Sequence, residues 1–326
     1  MTTQFQNIVK YKPGDRILCL CLHPALDVTI YTQDGKETDR TQNIGGKAIN
    51  LARVLHALGA RVTLLTLDDC KKETSTLLAD CGFDCVFVPT SLSLRRNQKY
   101  VDSTGRTREQ NSSAGKLSPQ DYAQVLYRLF HMLESKSEND KFSLLALCGS
   151  FPQAVENDVY KSIITRCHAH HISCICDACG MPLSLAVQAK PRLIKPNLKE
   201  FCQTFSQDIS MLKTQKDVQN AIFNFYGQVR VPILCSMDKD GAIYAGDEGV
   251  YLVSGPHVSH VQSFAGAGDT LLAAFIYARM LCAAPIDQSL QFATAAATAK
   301  VRLPADTLPT VEQIFEEWSQ IHVKRG

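Results

Sequence analysis

The chain has 326 residues, of which 45% are hydrophobic and 20% are charged, and its formal net charge at pH 7 is +2. This size and composition suit one large α/β domain or two smaller ones, with enough apolar residues for a sizeable core. The near-zero charge excludes the strongly basic balance of nucleic-acid-binding proteins, and no apolar run reaches the length of a membrane span.

Strand-like apolar runs alternate with helical patterns along most of the chain. Such alternation predicts a doubly wound α/β fold, in which helices cover both faces of a mostly parallel sheet. Helix signals include a glycine after residues 51–58 and, at Ser118-Pro119, an N-cap followed by proline. The predicted strands are residues 16–22, 62–67, 85–88, 143–147, 172–176, 192–194 and 231–235, and the helices include residues 51–59 and 74–79.

Two polar stretches, at about residues 28–44 and 94–112, interrupt this alternation. The second contains a turn signal at residues 103–105. Because a polar hairpin does not suit a strand buried on both faces, we predict that the two stretches form a small β-sheet lid beside the main sheet. The whole chain, residues 1–326, is then one domain, and an apolar face left on the lid suggests a homodimer through it.

The polar N-terminus and the cysteines indicate the cellular compartment. Residues 1–15 lack the apolar segment of a signal peptide. The thirteen cysteines are odd in number and scattered, and several lie in apolar runs such as residues 18–22 (LCLCL). This pattern is typical of reduced, buried thiols rather than a disulfide framework, so we expect a cytoplasmic protein. Residues 174–179 (CICDAC) lack an evident fourth ligand and are interpreted as thiols, not a metal site.

Residues 263–270 (SFAGAGDT) are the strongest local signal. Gly266, Ala267 and Gly268 precede Asp269 and an apolar run of helix formers. A loop of small residues before a helix exposes backbone N–H groups that bind anions. An acid in such a place is unfavourable unless it has a chemical task, such as taking a proton from a hydroxyl while the N–H groups hold a phosphoryl group. The alternative is a helix start with Asp269 in its first turn.

Polar residues follow the ends of several predicted strands, where open parallel sheets bind ligands. These residues are Asp27, Ser150, Asp177, Lys195, Asn197 and Ser236.

Six ordered motifs, between about residues 17 and 300, resemble the ribokinase-like (PfkB) carbohydrate kinases, especially their sugar-phosphate branch. The resemblance implies a ribokinase-like fold. It also implies ATP- and Mg²⁺-dependent phosphorylation of a hydroxyl on a sugar phosphate such as fructose 1-phosphate, fructose 6-phosphate or tagatose 6-phosphate. The motifs are residues 24–27 (PALD), 45–50 (GGKAIN), Arg95 with Asn97, 149–152 (GSFP), 195–200 (KPNLKE) and 266–269 (GAGD).

The same resemblance implies roles for the matching residues. The sugar hydroxyls would be held around Asp27, Gly45, Gly46 and Asn50. The sugar's own phosphate would be held by Arg95, with Lys36, Lys47 and Ser150 as weaker candidates. The nucleotide side would comprise Lys195, Asn197, Ser236 and Gly241, with Asn197 and Glu200 organising Mg²⁺ through water. The anion hole would be Gly266, Ala267 and Gly268, and the base Asp269. These residue types suit phosphoryl transfer, which depends mainly on positioning and charge neutralisation.

Several positions depart from the family pattern. Ala48 replaces the fourth residue of a glycine-rich motif. Asp68 and Asp69 follow a strand where glycines are usual, so they could re-shape the sugar pocket. Asp238 replaces a glycine near the expected nucleotide phosphates, where like charges repel. Lys300 stands where an asparagine often lies beside the adenine.

Three functions remain open from the sequence. The first is a sugar-phosphate kinase. The second is a sugar-phosphate-binding protein of kinase ancestry with weak or no activity, which Asp238 and the lost glycines motivate. The third is a kinase for an unphosphorylated sugar or nucleoside, against which Arg95 counts. Arg96 points away from Arg95 on a strand and is expected to be solvated.

Overall fold

A computed structural model describes residues 16–34, 36–104, 106–113, 115–135 and 141–326. The polar N-terminal stretch, residues 1–15, and most of the polar stretch at residues 134–141 lie outside these ranges. The described strands are β1 (Arg16–Cys21), β2 (Ala25–Gln33), β3 (Lys36–Gly45), β4 (Arg61–Asp68), β5 (Asp84–Pro89), β6 (Arg95–Asp102), β7 (Thr107–Asn111), β8 (Leu144–Cys148), β9 (Ser173–Asp177), β10 (Leu193–Ile194), β11 (Ile233–Ser236), β12 (Ala242–Gly246), β13 (Gly249–Ser254) and β14 (His322–Arg325). The described α-helices are α1 (Lys47–Ala57), α2 (Glu73–Leu77), α3 (Pro119–Leu133), α4 (Val159–Ala169), α5 (Gly180–Gln188), α6 (Leu198–Thr204), α7 (Gln215–Val229), α8 (Ala267–Phe275), α9 (Ile286–Val301) and α10 (Val311–Trp318).

Ten strands form the main sheet, in the order β14-β13-β12-β11-β10-β9-β8-β1-β4-β5. All pairs from β5 to β11 are parallel, which confirms the predicted mostly parallel sheet. The strands β12, β13 and β14 extend this sheet in antiparallel pairs. This antiparallel edge was not predicted, because antiparallel strands need no crossover helix and so do not appear as strand–helix alternation.

Strand β1 shows how the sheet divides two cores. Ile17, Cys19 and Cys21 contribute to one core, with apolar residues of α1, α8 and α9. The intervening Leu18 and Leu20 contribute to the other, with residues of α3, α4, α5 and α7. Because successive side chains of a strand point to opposite faces, a continuous apolar run supplies both cores.

The lid is a separate four-stranded sheet in the order β3-β2-β6-β7. Its strands lie at the two polar stretches predicted for it. The hairpins β2–β3 and β6–β7 are antiparallel, whereas β2 and β6 pair in parallel and set Asp27 opposite Asn97. Only one side of β2 is buried, by residues such as Val28 and Ile30.

Two predictions about acidic and basic residues near the lid are wrong. Asp68 and Asp69 do not re-shape a pocket: both are buried, and their carboxylates accept backbone N–H groups in the first turns of α2. Glu73, at the start of that helix, then pairs with Arg96 of β6 at 2.8 Å, so Arg96 is not free in solvent. This contact fastens the lid to the body and leaves the neighbouring Arg95 on the other face of the strand.

The described cysteines are all free thiols, as predicted, and most are buried. Cys70 and Cys179 are exposed. No described helix has both the length and the apolar character needed to cross a bilayer. No group of three or more His, Cys, Asp or Glu side chains among the described residues could hold a metal ion.

Candidate active site

The polar residues at the strand ends line or adjoin two pockets. The large cavity has a volume of about 550 Å³ and lies over the ends of β10 and β11 and the start of α8. The small pocket, of about 270 Å³, lies between the lid and the loops after β1 and β8. Both are at the carboxyl side of the parallel strands, where open α/β sheets bind their ligands.

The loop before α8 enters the large cavity through Gly266, Ala267 and Gly268. Gly266 has a φ of 77°, a left-handed conformation that glycine adopts without strain. The helix begins at Ala267, three residues before the predicted start near Thr270. The Ala267 amide donates to the Phe264 carbonyl at 3.3 Å. Within the described part of the chain, no hydrogen bond engages the amides of Gly266 and Gly268, so these two can bind an anion.

Asp269 lies in the first turn of α8, lines the large cavity and is 9% exposed. Its Oδ2 accepts a hydrogen bond from Asn50 Nδ2 at 2.8 Å. Burial and the nearby Asp177 carboxylate raise the pKa of Asp269 to about 6, against the opposing effects of Asn50, Lys195 and Lys47. A carboxylate whose pKa is raised towards neutral pH is suited to take up a proton.

Asp177, at the end of β9, holds two lysines at the floor of the site. Lys47 Nζ lies 2.8 Å from Asp177 Oδ1, and Lys195 Nζ lies 3.3 Å from Oδ2. Lys47 also approaches Glu200 Oε1 at 3.3 Å. Although burial would lower it, the Asp177 and Glu200 carboxylates hold the pKa of Lys47 above its ordinary value. Lys47 therefore lies in the large cavity, not in the small pocket where it was a candidate for the sugar's phosphate.

Asn197 and Glu200 form a reciprocal capping box at the start of α6. Glu200 Oε2 accepts the Asn197 N–H at 2.8 Å, and Asn197 Oδ1 accepts the Glu200 N–H at 2.8 Å. This arrangement begins the helix and turns both side chains into the large cavity. Since one Glu200 oxygen accepts an N–H and the other faces Lys47, the pair suits a hydrated cation better than direct coordination.

The remaining wall of the large cavity changes from polar to apolar. Ser236 and Gly241 lie on either side of a short turn in which Asp238 has a left-handed φ of 50° and faces the cavity. The far wall is largely apolar and adjoins the exposed Phe264. Its residues include Pro256, Val258, Val261, Ala297 and Val301.

The lid contributes Asp27 and Asn97. Asn97 Nδ2 donates to Asp27 Oδ1 at 2.7 Å, across the β2–β6 pair. A Cβ at Gly45 would lie 1.9 Å from Asp27 Oδ2, so only glycine allows this carboxylate to approach the backbone. Gly46 follows as the N-cap of α1, whose first turns carry Lys47 and Asn50. Residues 45–50 thus include Gly45 against the lid residue Asp27, Lys47 in the large cavity and Asn50 against Asp269.

The small pocket contains two polar atoms without partners. Arg95 Nε and His23 Nε2 are buried and make no hydrogen bond to the described residues. His23 Nδ1 lies 2.9 Å from Ser150 Oγ, and burial, with the positive charge of Arg95, lowers the pKa of His23 to about 4. A cation, a neutral imidazole and several hydroxyl and amide groups are of the kinds that suit an anion. The other lining residues are Asn97, Asn111, Ser112, Ser113, Phe151 and Gln153.

Among the sequence candidates that line neither pocket, Asp27, Gly45, Gly46, Asn50 and Ser150 lie next to lining residues or to one another, whereas Lys36 lies farther away and Ala48 is buried in the core. Lys36 begins β3 at the far end of the lid hairpin, opposite Gln33, so it does not join Arg95. Ala48 is fully buried in the core, so its replacement of a glycine changes packing rather than the pocket lining.

The sequence analysis missed the roles of Asp177 and His23. Asp177 was noted as a strand-end residue, but its partner Lys47 lies 130 positions away along the chain. His23 directly precedes the PALD motif, and its position at a strand end was the available signal.

Comparisons with known proteins agree with this architecture. The model of the pfkB family of carbohydrate kinases matches residues 22–313. The 1-phosphofructokinase of Borreliella burgdorferi is 29% identical, over 87% of this chain and 91% of that protein. The 1-phosphofructokinase of Escherichia coli K12 is 26% identical, over 88% and 91% of the two chains.

Solved structures share the fold. Phosphofructokinase-2 from Escherichia coli, crystallised with potassium, has a TM-score of 0.82 at 24% identity and covers 94% of this chain and 98% of its own. A ribokinase from Thermotoga maritima has a TM-score of 0.70 at 15% identity, with coverages of 94% and 99%. These likenesses confirm the predicted ribokinase-like fold, and the family match confirms that the chain is a kinase. The chain belongs to the pfkB family of carbohydrate kinases.

Proposed function

We propose that this kinase transfers the γ-phosphoryl group of ATP to a hydroxyl of a sugar phosphate, with fructose 1-phosphate as the first candidate. The observation that carries the proposal is a buried carboxylate, Asp269, that lines the large cavity and accepts a hydrogen bond from Asn50 of α1, the helix that follows the lid strand β3. The relatives named 1-phosphofructokinase support this choice of acceptor. Fructose 6-phosphate and tagatose 6-phosphate are the alternatives.

The small pocket would hold the phosphate already on the sugar. Arg95 supplies a guanidinium whose Nε has no partner among the described residues, and Ser112 and Ser113 also line this pocket. An unphosphorylated sugar would leave the buried Nε unsatisfied, which costs about 1–3 kcal/mol. This pocket therefore favours a sugar phosphate over a neutral sugar or a nucleoside.

The sugar ring would lie between the two pockets. Asp27 and Asn50 present carboxylate and amide groups there, and their contacts with Asn97 and Asp269 limit their freedom. Such polar groups suit the hydroxyls of a sugar, and their fixed geometry lowers the entropic cost of binding.

The large cavity would hold ATP. Lys47, Lys195 and the amides of Gly266 and Gly268 suit its phosphates, and the apolar wall suits its base. Asn197 and Glu200 would hold Mg²⁺ indirectly, through water. The ion would neutralise charge on the β- and γ-phosphates.

The proposed chemistry is a single in-line displacement. The acceptor hydroxyl oxygen forms a bond to the γ-phosphorus, and the bond from that phosphorus to the β–γ bridging oxygen breaks. Asp269 takes the hydroxyl proton while Asn50 keeps its Oδ2 oriented, and ADP leaves with the bond electrons. The amides of Gly266 and Gly268 stabilise the charge on the transferring group.

An acceptor panel tests the proposal. ADP release with MgATP should be measured with the three sugar phosphates above and with fructose, ribose and adenosine, and the product should be identified by mass spectrometry. We expect the best sugar phosphate to exceed every neutral acceptor in kcat/KM by at least about tenfold, the value of one charge-assisted contact. Faster turnover of a neutral acceptor would overturn the acceptor assignment.

Asp238 favours one second candidate, a sugar-phosphate-binding protein without effective transfer. Its carboxylate faces the large cavity, where it repels phosphates. Calorimetric binding of a sugar phosphate without ADP release from any acceptor would identify this function.

We also propose a homodimer through the lid. Tyr31, on the lid strand β2, is 40% exposed. A structural relative, phosphofructokinase-2 from Escherichia coli, has been crystallised in a tetrameric inhibited form. Light scattering would test this proposal, and a monomer at all concentrations would exclude it.

A further inference from the structure

Lys300, in the last turn of α9, is a buried ammonium group without a carboxylate partner. It is 2% exposed, and its Nζ donates to the carbonyls of Pro304 at 2.8 Å and Ala305 at 3.2 Å. No carboxylate in the described part of the chain forms an ion pair with it. Since an ammonium has three N–H donors, these two bonds leave one donor without a partner and the positive charge without an ion pair among the described residues.

This charge lies beside the phosphoryl-binding loop. A Cβ at Gly266 would lie 3.5 Å from Lys300 Cε. The next carbonyl, that of Val301, accepts the Gln262 amide at 2.9 Å and the Ser263 amide at 3.4 Å. The end of α9 is therefore fastened to the segment that leads into the loop, and Lys300 lies at the junction.

Burial makes this charge costly. It lowers the pKa of Lys300, and Asp306 offsets this only in part. Neutral carbonyl oxygens are the ligands that proteins also offer to potassium ions. A lysine ammonium and a potassium ion carry the same charge, but the ammonium is covalently attached and needs no binding equilibrium.

We propose that Lys300 is a positioning residue that acts as a tethered monovalent cation behind the phosphoryl-binding loop. Its ammonium occupies the Pro304 and Ala305 carbonyls, holds the loop in place and supplies fixed positive charge near the transferring phosphoryl group. The enzyme therefore works without a free monovalent cation. This inference rests on the proposed function, because it assigns the Gly266 loop to the transferred group.

The alternative is that Lys300 only closes the end of its helix, as lysines near helix C-termini often do. The two roles differ in their response to ions. A helix-closing lysine, once replaced, leaves a destabilised protein that all monovalent salts affect alike. A tethered cation leaves a carbonyl site that a potassium or ammonium ion can fill.

The test compares Lys300→Met with the unmodified enzyme in tetramethylammonium buffer and in potassium, ammonium or sodium chloride of equal ionic strength. We expect the unmodified enzyme to vary by less than about twofold among these salts. Lys300→Met should lose about ten- to a hundredfold in kcat, with a nearly unchanged KM for the sugar phosphate. Potassium or ammonium, but not tetramethylammonium, should restore about fivefold or more.

Lys190→Met is the matched control, because Lys190 also donates to a backbone carbonyl, that of Val229, at an exposed site away from both pockets. It should show neither the loss nor the rescue. Potassium activation of the unmodified enzyme by more than about fivefold would overturn the proposal, since a free ion would then be required. A Lys300→Met variant with full activity, or with a loss that no cation rescues, would overturn it as well.

Thermal unfolding gives a readout that does not depend on turnover. Potassium should raise the Tm of Lys300→Met relative to tetramethylammonium and leave that of the unmodified protein unchanged. If potassium stabilises Lys300→Met in this way but the protein turns over no acceptor, the proposed function is refuted and the tethered cation is supported. If Lys300→Met fails to fold, the unmodified protein decides: potassium-specific stabilisation or activation refutes the tether, and indifference to potassium supports it.

Discussion

The two pockets differ in whether their charged and polar groups have partners. In the small pocket, Arg95 Nε and His23 Nε2 are buried without partners. In the large cavity, Lys47 and Lys195 share Asp177, and Glu200 is engaged by Asn197 and Lys47. Among the described residues, these two atoms of the small pocket therefore have no partner, whereas the charged side chains at the large cavity form ion pairs with one another.

This difference predicts how each ligand binds. A phosphate entering the small pocket completes unsatisfied donors, so its binding should depend strongly on a single residue. Phosphates entering the large cavity must draw Lys47 and Lys195 partly away from Asp177, and their binding should be distributed over many contacts. The variants below test this contrast and the role of Asp269, which lines the large cavity.

Asp269→Asn should have the largest effect. The amide keeps the size of the side chain but cannot take up the hydroxyl proton, so kcat should fall about a hundred- to ten-thousandfold, with little change in the KM of either substrate. Steady-state ADP release measures this. The matched control is Asp287→Asn, which changes an exposed aspartate in the first turn of the neighbouring α9. Turnover by Asp269→Asn close to that of the control would remove Asp269 as the base.

Arg95→Ala should raise the KM for the sugar phosphate about ten- to a hundredfold, because a charge-assisted contact contributes about 1.5–3 kcal/mol. The KM for ATP should change by less than about twofold, since Arg95 does not line the large cavity. The control is Arg96→Ala, which breaks the Glu73 contact and should lower Tm without this rise in KM. Equal effects of both variants on KM would mean that Arg95 acts only through lid stability.

The pH profile should show an acid limb near pH 6, the pKa of Asp269. Below this value Asp269 is protonated and cannot act as a base, so kcat/KM should fall about tenfold per pH unit, whereas above it the rate should level off. The phosphate of the substrate also titrates in this range. Asn50→Ala separates the two, because loss of the bond that lowers the pKa of Asp269 should move the limb to higher pH. An unmoved limb would assign the titration to the substrate.

Asp238→Asn should have the smallest effect. Removing one negative charge from a solvent-accessible wall changes phosphate binding by about 1 kcal/mol or less, so the KM for ATP should fall about two- to fivefold. Asp240→Asn, in the same short turn but not lining the large cavity, is the control. A KM for ATP that rises in Asp238→Asn would show instead that this carboxylate helps to bind the nucleotide, as it would by holding its cation.

Structural features that depend on short segments of the chain were predictable from the sequence. The continuous apolar run of β1 predicted a buried strand, and the polarity of the two lid stretches excluded them from the main sheet. The motif at residues 266–269 correctly predicted a loop that leads into a helix. These features follow from local periodicity and turn chemistry, which a sequence displays directly.

Features that depend on distant contacts were not predictable in this way. Asp177 gains its significance from Lys47 and Lys195, which the fold brings to it from separate strands and helices. The sequence suggested that Asp69 could re-shape the sugar pocket, but its carboxylate accepts a backbone amide of a five-residue helix. Arg96 looked solvent-exposed because its partner Glu73 lies on that same helix. In each case the sequence showed a charged residue but did not show which distant group it contacts.

The way in which the lid is attached has a mechanical consequence. Its strands leave the body at Ala25, Gly45 and Arg95, all at one end of the small sheet, and the Arg96–Glu73 contact lies at that end too. The lid strands are therefore joined to the body at one end of the small sheet, and the Arg96–Glu73 contact acts as a clamp there. With a rise of about 3.3 Å per residue, the hairpin tip near Gln33 lies about 26 Å from the clamp, whereas Asp27 lies about 7 Å from it. A tilt of about 10° would move the tip by about 4–5 Å and Asp27 by only about 1 Å. A tilt of the lid would thus displace its tip much farther than Asp27, which lies near the attached end.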